Sequence, residues 1–440
     1  MIDLADLRML QKVRVTCSEG WKLISPYSAV AIFFQMVQMA CSFVSLRWVP
    51  PDQMGVWQTM LLIESYCMIV RLGVGNAMNR EFPFLMGQGK NREALECVRT
   101  TEAYTLVVSA VEGLGLAVAA VCLVGSGEAW LLGLATLAIY APLNLYRGFL
   151  ETTFRSGQEF SKLAGVQWIL MGFSLLSLWL VYAYGFRGFC FRNVLLAALS
   201  AGLYYWLRPV RAFPRFSSKV LKYLLWAGLP LLISNYLTSI ASGFNKLILL
   251  GQGGVHFVGL YTPVAAVLTL GTLLPSTLAI YLLPKLNFSF GTSRNSAHIV
   301  DQAWKASIAS GVALLPFIAV GWFLTPWFIQ KFIPLYEPSV RAMQWALFIS
   351  LANCLKTSAT SFSVLQAWTP MFFYLTGLII TSWLGPWLAI RYYPTRPLEA
   401  VTLGALAGVL CQIPITVICL RVAGGRETML RVRETSALAT

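Results

Sequence analysis

The chain has 440 residues, of which 57% are hydrophobic and only 12% charged, with a mean hydropathy of +0.67. That composition excludes an ordinary soluble domain and describes a chain that crosses a bilayer many times. A formal net charge of +15 would suit a nucleic-acid binder, but basic loops beside membrane spans account for it, and no nucleic-acid partner is expected.

Backbone groups in lipid must be satisfied within each segment, so apolar runs of about twenty residues read as helices rather than barrel strands. The expected fold is all-α. Residues 1–22 form a mixed-charge cytoplasmic lead-in with no cleavable signal pattern. Twelve spans follow, near Leu23–Leu46, Met54–Met78, Tyr104–Val124, Trp130–Tyr146, Leu163–Tyr184, Cys190–Leu207, Val220–Gly243, Val255–Leu283, Lys305–Leu324, Val340–Thr360, Met371–Ile390 and Val401–Leu420. An even number places both termini on one side. Lys and Arg crowd the segments on that side, including the stretch Arg208 to Lys222, so both ends are expected in the cytoplasm. Arg192 and Lys246 fall to the outer side. Trp48, Trp57, Trp130, Trp206, Trp322 and Trp327 lie near span ends, as an aromatic belt would.

The second span opens Met54-Gly55-Val56-Trp57 and the eighth opens Val258-Gly259-Leu260-Tyr261, 204 residues later. A duplication explains the offset. It gives a six-helix lobe over 23–207, a loop over 208–219, a second six-helix lobe over 220–421 and a cytoplasmic tail over 422–440. Parallel repeats of this kind leave a cavity between the halves, where transporters bind substrate. Pro142, Pro230, Pro263, Pro275, Pro316, Pro386 and Pro414 fall in spans and read as static kinks. Gly404 and Gly408 form a GxxxG for close helix packing.

Enzyme machinery is missing. There is no Walker A motif, no HExxH and no GxSxG, so no enzymatic activity is expected. The nine cysteines are scattered without a CxxC, and His256 and His298 are the only histidines, which argues against a disulfide framework or a metal site.

The order Pro-rich turn, Gly55-Val56-Trp57, apolar run, Leu72-Gly73-Val74-Gly75, Ala77, Arg80 and a Gly/Lys loop carries a resemblance. So do Leu229-Pro230, Asn245-Lys246 and Gly259-Leu260-Tyr261 in the second half, and the turns Gly157-Gln158-Glu159-Phe160 and Gln366-Ala367-Trp368-Thr369. The chain resembles the polysaccharide-transporter branch of the multidrug/oligosaccharidyl-lipid/polysaccharide exporter superfamily, which includes O-antigen-type flippases. The resemblance implies two six-helix lobes forming a V around a central lumen. It implies a flippase of the bacterial inner membrane that moves an undecaprenyl-diphosphate-linked oligosaccharide from the inner to the outer leaflet by alternating access. Polysaccharide polymerase or assembly proteins would be its partners, beside membrane lipids. No cofactor is implied beyond a coupling H⁺ or Na⁺. Two alternatives stay open: a cation-coupled multidrug exporter of the same superfamily, and a membrane glycosyltransferase or polymerase, against which the short outer loops argue.

Charges inside spans carry the candidate site. Glu64 and Arg71 lie seven residues apart in the second span and share a helix face. An Arg in mid-bilayer costs roughly 2.5–3.5 kcal/mol on insertion scales, so that face should look onto protein or water. A lipid-linked diphosphate needs counter-charge, and guanidinium groups bond phosphate oxygens bidentately. The candidates for diphosphate and sugar contact are Arg71, Arg147 at the inner end of span four, Lys246 at the outer end of span seven, Lys356 in span ten, and Arg80 at the inner mouth. Each has a plainer reading: Arg71 paired with Glu64 or Glu112, Arg147 as loop charge, Lys246 and Lys356 at an interface. Asn144, Asn235 and Asn353 either bond sugar hydroxyls or bridge helices. Glu64 and Glu112 either carry a coupling ion or neutralise Arg71.

Overall fold

The computed structural model describes residues 20–122, 127–157, 159–293, 296–365 and 367–437. Most of the N-terminal lead-in lies outside the described residues, as do Gln158 and Gln366 of the two inner turns. Among the described residues the chain is all helix, without a strand.

The helices are α1 (Gly20–Ser45), α2 (Pro51–Cys67), α3 (Val74–Gly87), α4 (Asn91–Cys122), α5 (Glu128–Ser156), α6 (Phe160–Leu176), α7 (Leu178–Leu207), α8 (Ser218–Leu260), α9 (Thr262–Ser293), α10 (Ser296–Phe332), α11 (Val340–Cys354), α12 (Thr360–Val364), α13 (Trp368–Tyr392) and α14 (Pro397–Ala437). Short 3₁₀ turns at Met68–Arg71, Pro334–Ser339 and Leu355–Ala359 interrupt them. Six helices are long and apolar enough to cross a membrane: α4, α5, α7, α10, α13 and Pro397–Gly425 of α14. Two bent pairs add a span each: Pro51–Arg71 with Val74–Gly87, and Ser218–Leu229 with Leu232–Leu260. This is a multi-pass membrane protein. On α4 the stripe Val107, Val111, Leu114, Val118 and Val121 is exposed, while Val108, Leu116 and Ala120 are buried. That spacing puts one apolar face outward, where lipid rather than water covers it.

The described residues fall into two compact units. One comprises Met1–Val49 and Val56–Tyr236, the other Pro50–Gly55 and Leu237–Thr440. In the first, α3 lays Val74, Ala77, Met78 and Phe82 against Phe149, Leu150 and Phe154 of α5, Leu163 and Val166 of α6, and Leu224 of α8. The second is centred on Tyr374, Leu375 and Leu378 of α13 and Cys419 and Leu420 of α14.

Glycines set the bends. The second span is not one straight helix. The Met68–Arg71 turn ends at Leu72 (φ 46°) and Gly73 (φ 70°), and the chain leaves at 52° into α3. A Cβ on Gly73 would lie 2.7 Å from the Gly228 carbonyl oxygen, and one on Gly228 would lie 2.4 Å from that of Gly73. Backbone meets backbone there, so neither position has room for a side chain. Gly185, with a φ of 56°, kinks the chain inside α7 between the expected spans five and six. Arg192, counted with the outer basic residues although it falls within the expected span six, is only 4% exposed. Span seven also runs past its expected end at Gly243. It continues until Gly253 and Gly254 break the helix. The Asn245-Lys246 pair that reads as a polar turn faces a cavity, so the helix has no reason to stop there.

Most of the prolines stay within helices. Pro263 sits in the first turn of α9, where its missing N–H costs nothing. Pro142, Pro316, Pro386 and Pro414 lie inside continuous helices. Only the bend between Leu229 and Leu232 falls at a predicted proline, Pro230. Trp57 is no belt residue. It is 4% exposed, edge-on to Tyr140 and Phe189.

The repeated glycines meet. A Cβ on Gly55 would lie 1.8 Å from the Val255 oxygen, and one on Gly259 would lie 1.7 Å from the Pro51 oxygen. Asp52 and His256, also 204 positions apart, form an ion pair at 2.8 Å when the imidazole is charged. Each contact has its partner at the duplicated position, the reciprocity of a local two-fold crossing.

The GxxxG packs α14 against α13. A Cβ on Gly404 would meet the Gly385 oxygen at 2.3 Å, and one on Gly408 the Thr381 oxygen at 2.3 Å. Gly404→Val should therefore destabilise the purified protein by about 1–3 kcal/mol or more, read as a fall in Tm in detergent. Gly172→Ala, which meets nothing within 4 Å, should leave Tm unchanged or raise it slightly. Equal effects from the two would show that the crossing is not close-packed.

Candidate functional site

The second unit contains a cavity of about 600 Å³. Its wall is built from helical faces. Thr238, Ala241, Ser242, Asn245 and Lys246 follow one face of α8, and Ala265, Leu268, Thr269, Thr272 and Ser276 one face of α9. Asn353 of α11 and Tyr374, Leu378 and Ser382 of α13 face the same space, with Ala405 and Val409 of α14. Lys356 arrives from the 3₁₀ turn Leu355–Ala359. The Ser358 hydroxyl donates to the Leu355 carbonyl at 2.8 Å and the Ser361 hydroxyl to the Ser358 carbonyl at 2.7 Å. Such local bonds compete with the α pattern and tighten the turn that carries Lys356. Asn245 donates to the Tyr261 hydroxyl at 3.0 Å, which fixes the amide one residue before Lys246.

Two ammonium groups thus line one hollow, and no carboxylate is among its lining residues. Hydroxyl and amide groups make up much of the rest. An anion entering this hollow would gain charge-assisted hydrogen bonds from Lys246 and Lys356 in a partly water-free site.

The first unit handles its charges differently. Arg71 Nη2 lies 3.5 Å from Glu64 Oε1. The same oxygen accepts from Asn144 Nδ2 at 3.1 Å, and Asn144 Oδ1 accepts from Arg147 Nη2 at 2.9 Å. One chain of contacts runs Arg71–Glu64–Asn144–Arg147 and ties α2 to α5. Glu112 of α4 lies within electrostatic reach of Arg71 and Glu64. Both its carboxylate oxygens are buried with no hydrogen-bond partner among the described residues, and so is Arg71 Nε. Two acids and two guanidinium groups balance. A cavity of about 440 Å³ adjoins them, lined by Arg71, Asn76, Tyr104, Thr105, Thr152 and Asn235 among others. The Tyr104 hydroxyl donates to the Val70 carbonyl at 2.8 Å and pins the turn on which Arg71 sits.

The candidates therefore separate. Arg71 and Asn235 line the first cavity, and Lys246 and Lys356 line the second. Asn144, Arg147 and Glu64 are joined in the network beside the first. Arg80 lines neither; its side chain is 64% exposed and 3.6 Å from Glu81. Sequence reasoning missed Tyr374, Thr272, Ser276 and Ser382. Single hydroxyls in apolar helices carry little signal, although Thr269, Thr272 and Ser276 do repeat at helical spacing. It also missed Arg192, which donates to the Ser177 hydroxyl at 3.1 Å and the Ser174 carbonyl at 3.4 Å.

No family model and no curated protein matches the sequence. Solved structures match the fold. The inward-facing conformation of a multidrug resistance MATE family transporter of the MOP superfamily aligns with 92% of this chain and 99% of its own, at a TM-score of 0.64 and 16% identity. The outward-facing conformation of such a transporter aligns with 96% and 98%, at 0.61 and 17%. A MOP superfamily transporter from Pyrococcus furiosus, whose binding pocket is described as reversed in polarity and suggestive of a different function, aligns with 96% and 98%, at 0.61 and 16%. At these identities the likeness establishes a MATE-type fold over nearly the whole chain. The all-helical architecture expected from the sequence is the one found. These three neighbours are described as multidrug or MOP-superfamily transporters.

The network predicts strong coupling between Glu64 and Arg71. Glu64→Gln strips the carboxylate from Arg71 and should destabilise more than the double variant Glu64→Gln/Arg71→Gln. A double-mutant cycle on Tm should return a coupling of about 0.5–3 kcal/mol. Additive effects would mean that the two side chains do not stabilise each other.

Proposed function

We propose that this chain is a secondary transporter of amphiphilic anions, and specifically a flippase for an undecaprenyl-diphosphate-linked oligosaccharide. The observation that carries the reading is the shared cavity of Lys246 and Lys356, with no acid in its lining. At about 600 Å³ the cavity is within the size range that holds a small-molecule headgroup. The diphosphate would sit between the two ammonium groups. Asn245, Asn353, Thr272 and Ser276 would meet sugar hydroxyls, and the polyprenyl tail would stay in lipid. Arg71 and Asn235, in the first cavity, would offer a second polar contact in another state of the cycle. Glu112, with two unbonded carboxylate oxygens, would hold the coupling H⁺ or Na⁺ beside Glu64. The concentration of Lys and Arg in alternate loops supports a bacterial inner-membrane orientation with both termini cytoplasmic. Polymerase or assembly proteins would consume the exported unit.

A second reading is a cation-coupled multidrug exporter. The likeness to MATE family structures favours it, and so does the presence of Glu64 and Glu112 in the first unit. Against it stand the charges. A cationic drug would meet two lysines in the second cavity, and Glu64 is already engaged by Arg71 and Asn144.

Export in a flippase-null strain, at matched protein levels, separates the two. Lys246→Ala and Lys356→Ala should each cut glycan export about tenfold, the loss of one hydrogen bond to a charged group. Lys162→Ala, an exposed lysine 3.3 Å from Glu159, should export normally. Normal export by both cavity variants, together with broad protection of the strain from cationic dyes, would replace the flippase reading with the drug exporter.

A further inference from the structure

A third cavity, of about 350 Å³, opens where α7 ends and the segment toward α8 begins. Tyr205, Trp206, Arg208, Arg211, Ala212 and Phe213 line it. It lies within the first unit and shares no lining residue with the two cavities above.

Its charges are held in different ways. Arg208 Nη1 donates to Glu102 Oε1 at 2.8 Å, and the Arg208 guanidinium lies 4.3 Å from the Tyr205 ring centroid. Glu102 is 3% exposed and also accepts from the Tyr146 hydroxyl at 3.0 Å. Arg208 is therefore a fixed, half-neutralised wall. Arg211 is exposed, and its Nη2 donates to the Trp206 carbonyl at 3.2 Å. Arg215, Lys219 and Lys222 follow within a few residues, all exposed. The segment is anchored by the Arg215 N–H, which donates to the Arg99 carbonyl at 3.3 Å.

The apolar rim is unusual for such a basic patch. Trp206 is 70% exposed, Phe213 90% and Phe216 56%. Aromatic rings at the end of a membrane span lie at the headgroup level of the bilayer. Basic residues clustered just beyond a span attract anionic lipid.

We infer that this cavity binds the headgroup of an anionic phospholipid. The phosphate sits against Arg211 and the open edge of Arg208, and the acyl chains run along Trp206 and Phe213 into the bilayer. The exposed rings select a lipid over a soluble phosphate, because a free anion gains nothing from them. The cavity would hold this lipid whichever cargo the transporter moves, since Lys246 and Lys356 take no part.

Native mass spectrometry of the full-length protein, released from micelles holding equal phosphatidylglycerol and phosphatidylcholine, tests it. The wild type should retain phosphatidylglycerol about tenfold more than phosphatidylcholine. Arg211→Glu and Phe213→Ser should each erase most of that preference, and neither should lower Tm because both side chains are exposed. Arg391→Glu, an exposed arginine at the end of α13, should keep it. Retention of both lipids alike, or a preference that survives Arg211→Glu and Phe213→Ser, overturns the assignment. So does loss of the lipid to millimolar inorganic phosphate, which would make this a soluble-anion site.

Discussion

A charge in hydrocarbon is tolerated only where protein or water replaces the lipid around it, and the polar interior of this molecule follows from that constraint. The two units satisfy it in opposite ways. In the first, Arg71 and Arg147 are offset by Glu64 and bridged through Asn144, with Glu112 close by. The result is a balanced network that holds α2 to α5. In the second, Lys246 and Lys356 face a hollow whose lining supplies no negative charge. The first unit meets its buried charges largely within the protein, although both Glu112 carboxylate oxygens stay unbonded among the described residues. The second sets two basic side chains around one hollow whose lining holds no acid, and that is the main electrostatic difference between the units.

Backbone geometry makes the hollow available. Helices that crossed at full side-chain separation would leave wide, shapeless gaps. Here Gly385 and Gly404, Gly73 and Gly228, and Gly55 and Gly259 bring backbones into contact. Where helices touch that closely at one point, they diverge elsewhere, and polar side chains occupy the space that opens. The bend at Leu72–Gly73 has the same effect on a smaller scale. It ends α2 in a 3₁₀ turn and leaves Arg71 on the wall of a cavity instead of on a lipid-facing helix.

Much of this was legible from the residue pattern. Apolar runs located the spans, because length and hydropathy act locally. Glu64 and Arg71 were readable as a pair, since seven residues is two turns of one helix. The GxxxG of α14 announced its own contact. Other features were hidden for physical reasons. Asn245-Lys246 looks like a loop because a sequence window cannot tell a polar turn from a polar helix face turned toward a cavity. The burial of Arg192 depends on partners fifteen and eighteen residues earlier in the chain, Ser177 and Ser174, which no local window links to it. Arg80 looked like part of the site, yet it lines neither cavity and its side chain is 64% exposed, which a residue's charge alone does not reveal. That Lys246 and Lys356 share a wall is long-range information, carried by helix packing across more than a hundred residues.

Fold and cargo are separable here. The MATE-type architecture brackets nearly the whole chain at 16–17% identity, a level at which helices persist and pocket residues do not. A scaffold of this kind specifies where a cavity lies but not its sign, and one solved MOP transporter is itself described as reversed in pocket polarity. The sign is set by a handful of side chains that the packing leaves free to change. In this chain they are basic at Lys246 and Lys356 and amide- or hydroxyl-bearing around them. Glu64, by contrast, is drawn into contact with Arg71 in the other unit. Exchanging which unit is neutralised would require only a few substitutions and no change in helix arrangement. The proposal of an anionic cargo therefore rests on the local chemistry of this second cavity and not on the fold.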